Sequence, residues 1–424
     1  GRAADLLGRR RIFMVGMAVF TAASLACALA RNDAFLIVMR GVQGTGSAIV
    51  LPAALSIVMN MFPEGADRNK ALGLWGAIGA SGATVGLLTG GLLTRYVGWE
   101  YIFYLNIPIG LAALVLAPRV VPESRLETTQ RRYDPLGALT VTGGLLLLAY
   151  AITTAPEDGW ATAKTISLLA VSGALLVSFF VVEARVEQPL LPLRMFRMRA
   201  VAGANLAGLL LGASFFAFVF LGTLYMQQVL GYSALQTGVA WLATSLTSVA
   251  LAGVSQLLVT RIGAAPVMAT GMALIAAGLG WATEMPANGH FWADIAGPFL
   301  VTGAGTAFGF IPISIAGLSG VADRDAGLAS GLLNTAQQLG GALGVAITSS
   351  VAATRAGHLT ADGLPARIAL TGGFHWAFWV SAAIAAAAVP LSFVVPRRIA
   401  PVTEDKTEAL RVQQLEPAMA GRTS

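Results

Sequence analysis

Arg40 is the one basic residue well inside an apolar run, the stretch from residue 35 to residue 59. A guanidinium centred in a bilayer-spanning helix costs on the order of 3 kcal/mol. Arg40 is therefore expected to face the interior of a helix bundle and to have a partner, unless it lies near a helix end and snorkels to water. Gln43, Gly44 and Gly46 follow it in the pattern R-x-x-Q-G-x-G. At the opening of the chain, Gly1, Asp5, Gly8, Arg9 and Arg10 form a second charged constellation, with Arg11 next to it. Gly1 and Gly8 permit a tight turn, and Asp5 can accept from a helix N-terminus or pair with a base. Such a latch can be made and broken as two helix bundles rock. Arg9 to Arg11 also suit a plain topology anchor.

Gly76, Gly79, Gly82, Gly86, Gly90 and Gly91 recur at small-xxx-small or i+3 spacing, a stripe that lets two helices pack backbone to backbone. Polar and aromatic residues on otherwise apolar helices are the candidate solute contacts: Gln43, Asn205, Phe215, Phe218, Tyr225, Gln227, Asn334 and Gln338. Asn334 and Gln338 are four apart and share a helix face. The competing role for the polar ones is interhelical hydrogen bonding, and for the aromatics packing or interface anchoring. A pocket of aromatics and few charges suits amphipathic, hydrophobic compounds, and no acidic pair marks it as specific for cations.

Other chemistries find little support. Cys27 is the single cysteine, in an apolar stretch, which points to an inert buried thiol. His290, His358 and His375 lack metal-ligand spacing. Gly44-Thr45-Gly46 and Gly303-Ala304-Gly305-Thr306 lack the lysine and the strand–turn–helix setting of a phosphate loop. No cofactor is expected, nor an enzyme's nucleophile arrangement.

These residues need a frame, and composition says what kind. The chain is 56% hydrophobic and 11% charged, against about 25% charged in ordinary soluble domains. Most of its surface must therefore face lipid. Apolar stretches at 12–30, 35–59, 71–94, 100–118, 134–155, 165–184, 201–228, 236–260, 266–284, 292–316, 327–351 and 374–395 are each long enough to cross a bilayer. Lipid requires them to be helices. Eighteen Lys and Arg fall in one set of alternate loops and five in the other. The positive-inside rule then puts both ends of this chain in the cytoplasm. The net charge of +6 reflects those loop clusters and not a basic nucleic-acid face. The tail 397–424 is polar.

An internal repeat is legible. Residues 5–19 and 260–274 align Gly8 with Gly263 and Gly16-Met17-Ala18 with Gly271-Met272-Ala273, and residues 42–48 parallel residues 301–307. Both copies start on the same side, so the repeat is parallel. Two parallel halves related about the membrane normal are a known transporter architecture.

Several segments together resemble the major facilitator superfamily, and within it the fourteen-span drug:proton antiporters. Gly1, Asp5, Gly8, Arg9 and Arg10 match the gating loop G-x-L-a-D-r-x-G-r-k, with Ala3 and Leu6 departing from it. The Arg40 motif is similar to that of the family's fourth helix, which implies a role for Arg40 in proton coupling. Gly82, Gly86, Gly90 and Gly91 resemble the antiporter motif of the fifth helix, with Leu87 where that motif has proline. Residues 99–110 (WEYIFYLNIPIG), 134–137, 189–192, 225–231 and 331–340 are similar to further landmarks. The resemblance implies an all-α integral membrane protein of the MFS fold, with 12 transmembrane helices corresponding to helices 3–14 of 14. On this reading helices 1 and 2 are missing from an N-terminally truncated chain. The implied domains are a remainder of the N-terminal bundle at 1–118, two central linker helices at 119–199, a C-terminal six-helix bundle at 200–396 and the tail at 397–424. It further implies secondary active, proton-coupled efflux of small hydrophobic molecules by a monomer in the plasma or inner membrane. The alternatives are a facilitator or importer of another solute, or a non-transporting membrane sensor.

Overall fold

A bilayer core offers no water to backbone N–H and C=O groups, so an apolar chain crosses it as helix or closed barrel. In the computed structural model every regular element among the described residues is helical. The structure describes residues 7–62, 71, 82, 85–86, 89–123, 135–186, 193–321 and 326–396. Gly1, Asp5, Gly76 and Gly79 lie outside them. Ten helices among the described residues are long and apolar enough to cross a membrane.

The first unit begins with α1 (Arg9–Ala28) and α2 (Asp33–Met61), an antiparallel pair. Helical residues 89–96 follow, then α3 (Tyr101–Tyr104) and α4 (Asn106–Val120), both against α1. A central hairpin joins α5 (Pro135–Asp158) to α6 (Ala163–Arg185). Its two helices are tied where Ser172 Oγ donates to the Gly144 carbonyl at 2.8 Å. The second unit contains α7 (Arg199–Leu224), prolonged by a π-helical turn at Tyr225–Val229, and α8 (Ala234–Ala240) with α9 (Leu242–Ile262). It is completed by α10 (Ala264–Ala282), α11 (Ala296–Leu318), α12 (Ala326–Ala361) and α13 (Ala366–Leu391). Within it α7 packs against α11, α12 and α13, and α10 against α11 and α13.

Between membrane helices no hydrophobic force acts, so close backbone contact must hold them. Glycine supplies it, in the same way in both units. Gly8 (φ 109°) and Gly263 (φ 89°) precede α1 and α10, each in a conformation that L side chains rarely adopt. A Cβ on Gly46 would stand 2.6 Å from the Phe20 nitrogen and 2.9 Å from the Gly16 oxygen. A Cβ on Gly305 would stand 2.7 Å from the Ile275 nitrogen and 2.9 Å from the Gly271 oxygen. Gly16 and Gly271, Phe20 and Ile275, Gly46 and Gly305 are repeat partners, so the sequence repeat is a repeat of helix crossings. Gly303 also packs closely on Thr244 of α9, and among the described residues a Cβ on its partner Gly44 would meet nothing within 4 Å.

Two boundaries depart from the apolar stretches. α12 runs to Ala361, past the expected end at residue 351, and α13 starts at Ala366 and not at residue 374. Hydropathy fades in that segment, but alanine, arginine and leucine keep a helix going until Gly363, at φ 85°, and Pro365 break it. The two extensions pack on each other through Leu359 with Gly372, and the Arg355 guanidinium lies 5.7 Å from the Trp376 ring centroid.

Gly46→Ala and Gly305→Ala should each destabilise by about 1–3 kcal/mol, the usual result of overpacking, because backbone atoms that cannot give way stand in the path of the methyl group. Gly44→Ala should cost nothing. Thermal unfolding of the detergent-solubilised variants checks this, and three equal melting temperatures would contradict it.

Candidate functional site

The site around Arg40 is built by α1 and α2. The Asn32 side chain accepts from the Phe35 N–H at 2.8 Å and starts α2, which places Arg40 about 10 Å along the helix. Arg40 and Gln43, three apart, share a face. Arg40 Nη1 donates to Gln43 Oε1 at 2.7 Å, which orients the amide so that Nε2 donates to Ser24 Oγ of α1 at 2.6 Å. Ser24 in turn donates to the Phe20 carbonyl at 2.7 Å. Gln43 is 3% and Ser24 0% exposed, so this chain of bonds runs in low dielectric, where each bond is strengthened. It ends at Phe20, the residue whose backbone Gly46 touches.

The guanidinium itself is exposed and lies 5.7 Å from the Phe103 ring centroid, a cation–π contact. Phe103 is held edge-on by Trp99 at 6.1 Å, after a turn at Gly98 with φ 129°. The W-E-Y-I-F segment is thus an aromatic shelf under the arginine. Arg40 was expected to face a bundle interior with a partner. It has the partner, a neutral amide, and among the described residues no carboxylate pairs with it. A guanidinium stays charged at any physiological pH. It can therefore bind an anion or lower the pKa of an acid brought near it, but it does not carry the proton itself.

At the opposite end of α1, Arg9 is buried and its Nε donates to Ser56 Oγ of α2 at 2.7 Å. Arg10 Nη1 donates to the Val121 and Pro118 carbonyls at 3.1 and 3.4 Å, a cation on the negative end of α4. Glu123 Oε2 lies 3.6 Å from Arg10 Nε and 3.8 Å from Arg11 Nε. Among the described residues both Glu123 oxygens are buried without a hydrogen-bond donor, and the Arg10 and Arg11 guanidiniums are what offsets the carboxylate charge there. Sequence reading missed Glu123. Its signal was Pro122-Glu123, an acid directly after a helix end on the side of the membrane that carries Arg9 to Arg11.

The first and second units meet beside residues 89–96. A Cβ on Gly91 would lie 3.1 Å from the Ala234 oxygen, and Arg95 Nη1 donates to Ser233 Oγ at 3.2 Å. Ser233 also caps α8 in a reciprocal pair with Gln236. The glycine stripe therefore works at Gly91. Among the described residues a Cβ on Gly82 or Gly86 would meet nothing within 4 Å, and one on Gly90 only Ile102 at 4.0 Å.

Beyond Gln43, the candidate solute contacts separate by burial. Phe218 and Tyr225 are fully buried. Phe218 sits among Trp241 and Phe299 at 5.1 and 5.0 Å, and Tyr225 donates its hydroxyl to the Pro286 carbonyl at 2.6 Å, so both do structural work. Asn205 is buried in α7, where its Nδ2 donates to the Val201 carbonyl at 2.8 Å and its Oδ1 has no partner among the described residues. Phe215 is half-buried against Phe310 at 5.4 Å. Gln227, Asn334 and Gln338 are exposed. Of the eight, Gln338 lines a cavity of about 510 Å³ between α5, α7 and α12. No group of three metal-ligating side chains occurs among the described residues.

Glu123→Gln should lower stability by about 1–3 kcal/mol, because it removes the charge that two guanidiniums enclose. A melting temperature equal to that of the unaltered protein would show that this clasp between α1 and α4 contributes nothing.

The family model of the Major Facilitator Superfamily matches residues 1–345. The chain is 38% identical over 354 residues to the cephamycin export protein CmcT of Amycolatopsis lactamdurans, covering 83% of this chain and 73% of that protein. It is 36% identical over 407 residues to the puromycin resistance protein pur8 of Streptomyces alboniger, covering 93% and 79%. It is 33% identical over 368 residues to the tetracenomycin C resistance and export protein of Streptomyces glaucescens, covering 85% and 67%. Among solved structures, an auto-inhibited POT family peptide transporter matches with a TM-score of 0.65 at 18% identity, over 95% of this chain and 85% of that one, a likeness of fold. With that family match across most of its length and these relatives, the chain belongs to the major facilitator superfamily of multi-pass membrane transporters.

Proposed function

We propose that this chain is a proton-coupled exporter of small hydrophobic or amphipathic molecules, working by alternating access. The observation that carries it is the 33–38% identity to three proteins whose names state export of, or resistance to, cephamycin, puromycin and tetracenomycin C. The site chemistry suits that role. A permanently charged guanidinium, fixed by Gln43 and Phe103, is a suitable electrostatic partner for a group that takes up and releases protons. Solute contacts on helices with few charges suit apolar cargo.

In this reading Arg40 is the proton-coupling residue, and Gln43 holds it. Gly1, Asp5, Gly8, Arg9 and Arg10 form the cytoplasmic gating loop, with Glu123 as a further member. The Gly91–Ala234 and Arg95–Ser233 contacts close the outer side. Gln227, Asn334 and Gln338 remain the exposed candidates for solute contact. Both termini of the chain lie in the cytoplasm, the domains divide at 118, 199 and 396, and the unit works as a monomer. The proton gradient is the energy source and no cofactor takes part.

Everted membrane vesicles containing the chain should take up puromycin or tetracenomycin C against a gradient when the lumen is acid, and a protonophore should abolish it. Arg40→Gln should reduce the rate by about tenfold or more, as for loss of a charged contact, and Gln43→Leu by about threefold to tenfold, as for loss of its hydrogen bonds. Uphill uptake that survives the protonophore would overturn proton coupling. Absence of uptake of cephamycin, puromycin and tetracenomycin C alike would overturn the export reading.

A further inference from the structure

The central hairpin supplies one wall of a cavity between α5, α7 and α12. That cavity, about 510 Å³, is walled by Thr153 of α5, Phe216 and Phe220 of α7, and Gln338, Val345 and Ser349 of α12. Its volume falls in the range of about 300–1,000 Å³ typical of small-molecule sites. The wall is anchored, since Trp160 Nε1, just past α5, donates to Ser350 Oγ of α12 at 3.3 Å, one residue from Ser349. Gly341 makes room for the ring of Phe216, because a Cβ there would lie 2.6 Å from Phe216 Cδ2.

The lining states the chemistry of the occupant. None of the lining side chains is charged, so an ionic solute would be desolvated there without compensation. Phe216 and Phe220, four apart on one face of α7, offer ring faces to a planar solute. Thr153 and Ser349 already donate to carbonyls of their own helices, at 2.7 and 2.6 Å, and so act toward a solute as acceptors. The Gln338 amide has no hydrogen-bond partner among the described residues, which leaves two N–H donors and a carbonyl free. A saturated acyl chain makes no use of that amide, whereas a ring system with a carbonyl or hydroxyl edge does.

We propose that the cavity between α5, α7 and α12 binds uncharged, planar, amphipathic solutes, with the central hairpin as its wall and Gln338 as its polar recognition group. The proposal rests on the export reading in one respect, that the occupant is a transported solute.

Nile red, planar and uncharged, and ethidium, planar and cationic, are the probes, with the chain in lipid nanodiscs and empty nanodiscs as background. Nile red should bind about tenfold or more tightly than ethidium, given the cost of burying an unpaired charge. Thr153→Trp and Val345→Trp, which fill the cavity from opposite walls, should each weaken Nile red by about tenfold or more, since an overfilled site excludes its ligand. Gln338→Leu should weaken it by about threefold to tenfold, the loss of one hydrogen bond. Equal affinity for the two dyes, or unchanged binding in both Trp variants, overturns the proposal. Filled variants that lose binding while Gln338→Leu keeps it identify the occupant as a plain apolar chain and also overturn it.

A second measurement does not depend on the folding of the Trp variants. In a Cys27→Ser background, Nile red should slow maleimide alkylation of Ser349→Cys, and an unchanged rate contradicts the site. Export at the unaltered rate by a folded Thr153→Trp variant removes the site and leaves the export reading intact. Binding that fills this cavity, with no uptake of cephamycin, puromycin or tetracenomycin C by everted vesicles, keeps the site and removes the export reading.

Discussion

Helices in lipid gain nothing from hiding apolar surface from one another, so close backbone approach is the interaction on which the rest of this structure depends. In the first unit it is the contact of Gly46 with the backbone of Phe20 and Gly16. The Arg40–Gln43–Ser24 chain lies one helical turn away on the same crossing. Its key bond, Gln43 to Ser24 at 2.6 Å, spans α1 and α2 and exists only because the helices are that close. A methyl group at residue 46 therefore reaches the charged site through two hydrogen bonds. In the second unit the same crossing, Gly305 on Ile275 and Gly271, supports an apolar interior of Phe218, Trp241 and Phe299. One geometry was put to two uses.

The polar chemistry sits at both ends of α1. Near its C-terminal end Ser24 accepts from the Gln43 amide, which in turn accepts from Arg40. At the other end of α1 the same helix is clasped by Glu123, whose Oε2 lies beside both Arg10 and Arg11. The ends of α1 thus hold two kinds of polar assembly, one built on neutral hydrogen bonds and one on ion pairs.

Much of this was legible in the sequence because the signals are local. Apolar run length predicted the spans, and Gly8, Gly16 and Gly46 predicted the repeat, since a glycine that must permit a turn or a close approach cannot be replaced. What was not legible depends on which way a helix face points or on partners far along the chain. Phe218 and Tyr225 looked like Phe215 as residue types, and only packing separates them. The shelf for Arg40 comes from Phe103, and the clasp for Arg10 comes from Glu123, which stands beyond a helix end. The extensions of α12 and α13 escaped a hydropathy reading because alanine-rich sequence remains helical after it stops being strongly apolar. Spacing shows that the glycine stripe allows a close approach, and among the described residues Gly91 makes one, on Ala234.

Alternating access requires the first and second units to move against each other, and Arg95–Ser233 is a bond between them at one end. Spin labels at Arg95→Cys and Ser233→Cys, in a Cys27→Ser background, test this by pulsed electron resonance distance measurement in nanodiscs. Two distance populations whose ratio changes with pH or with added solute are the predicted result. A single short distance, unchanged by either, would contradict it.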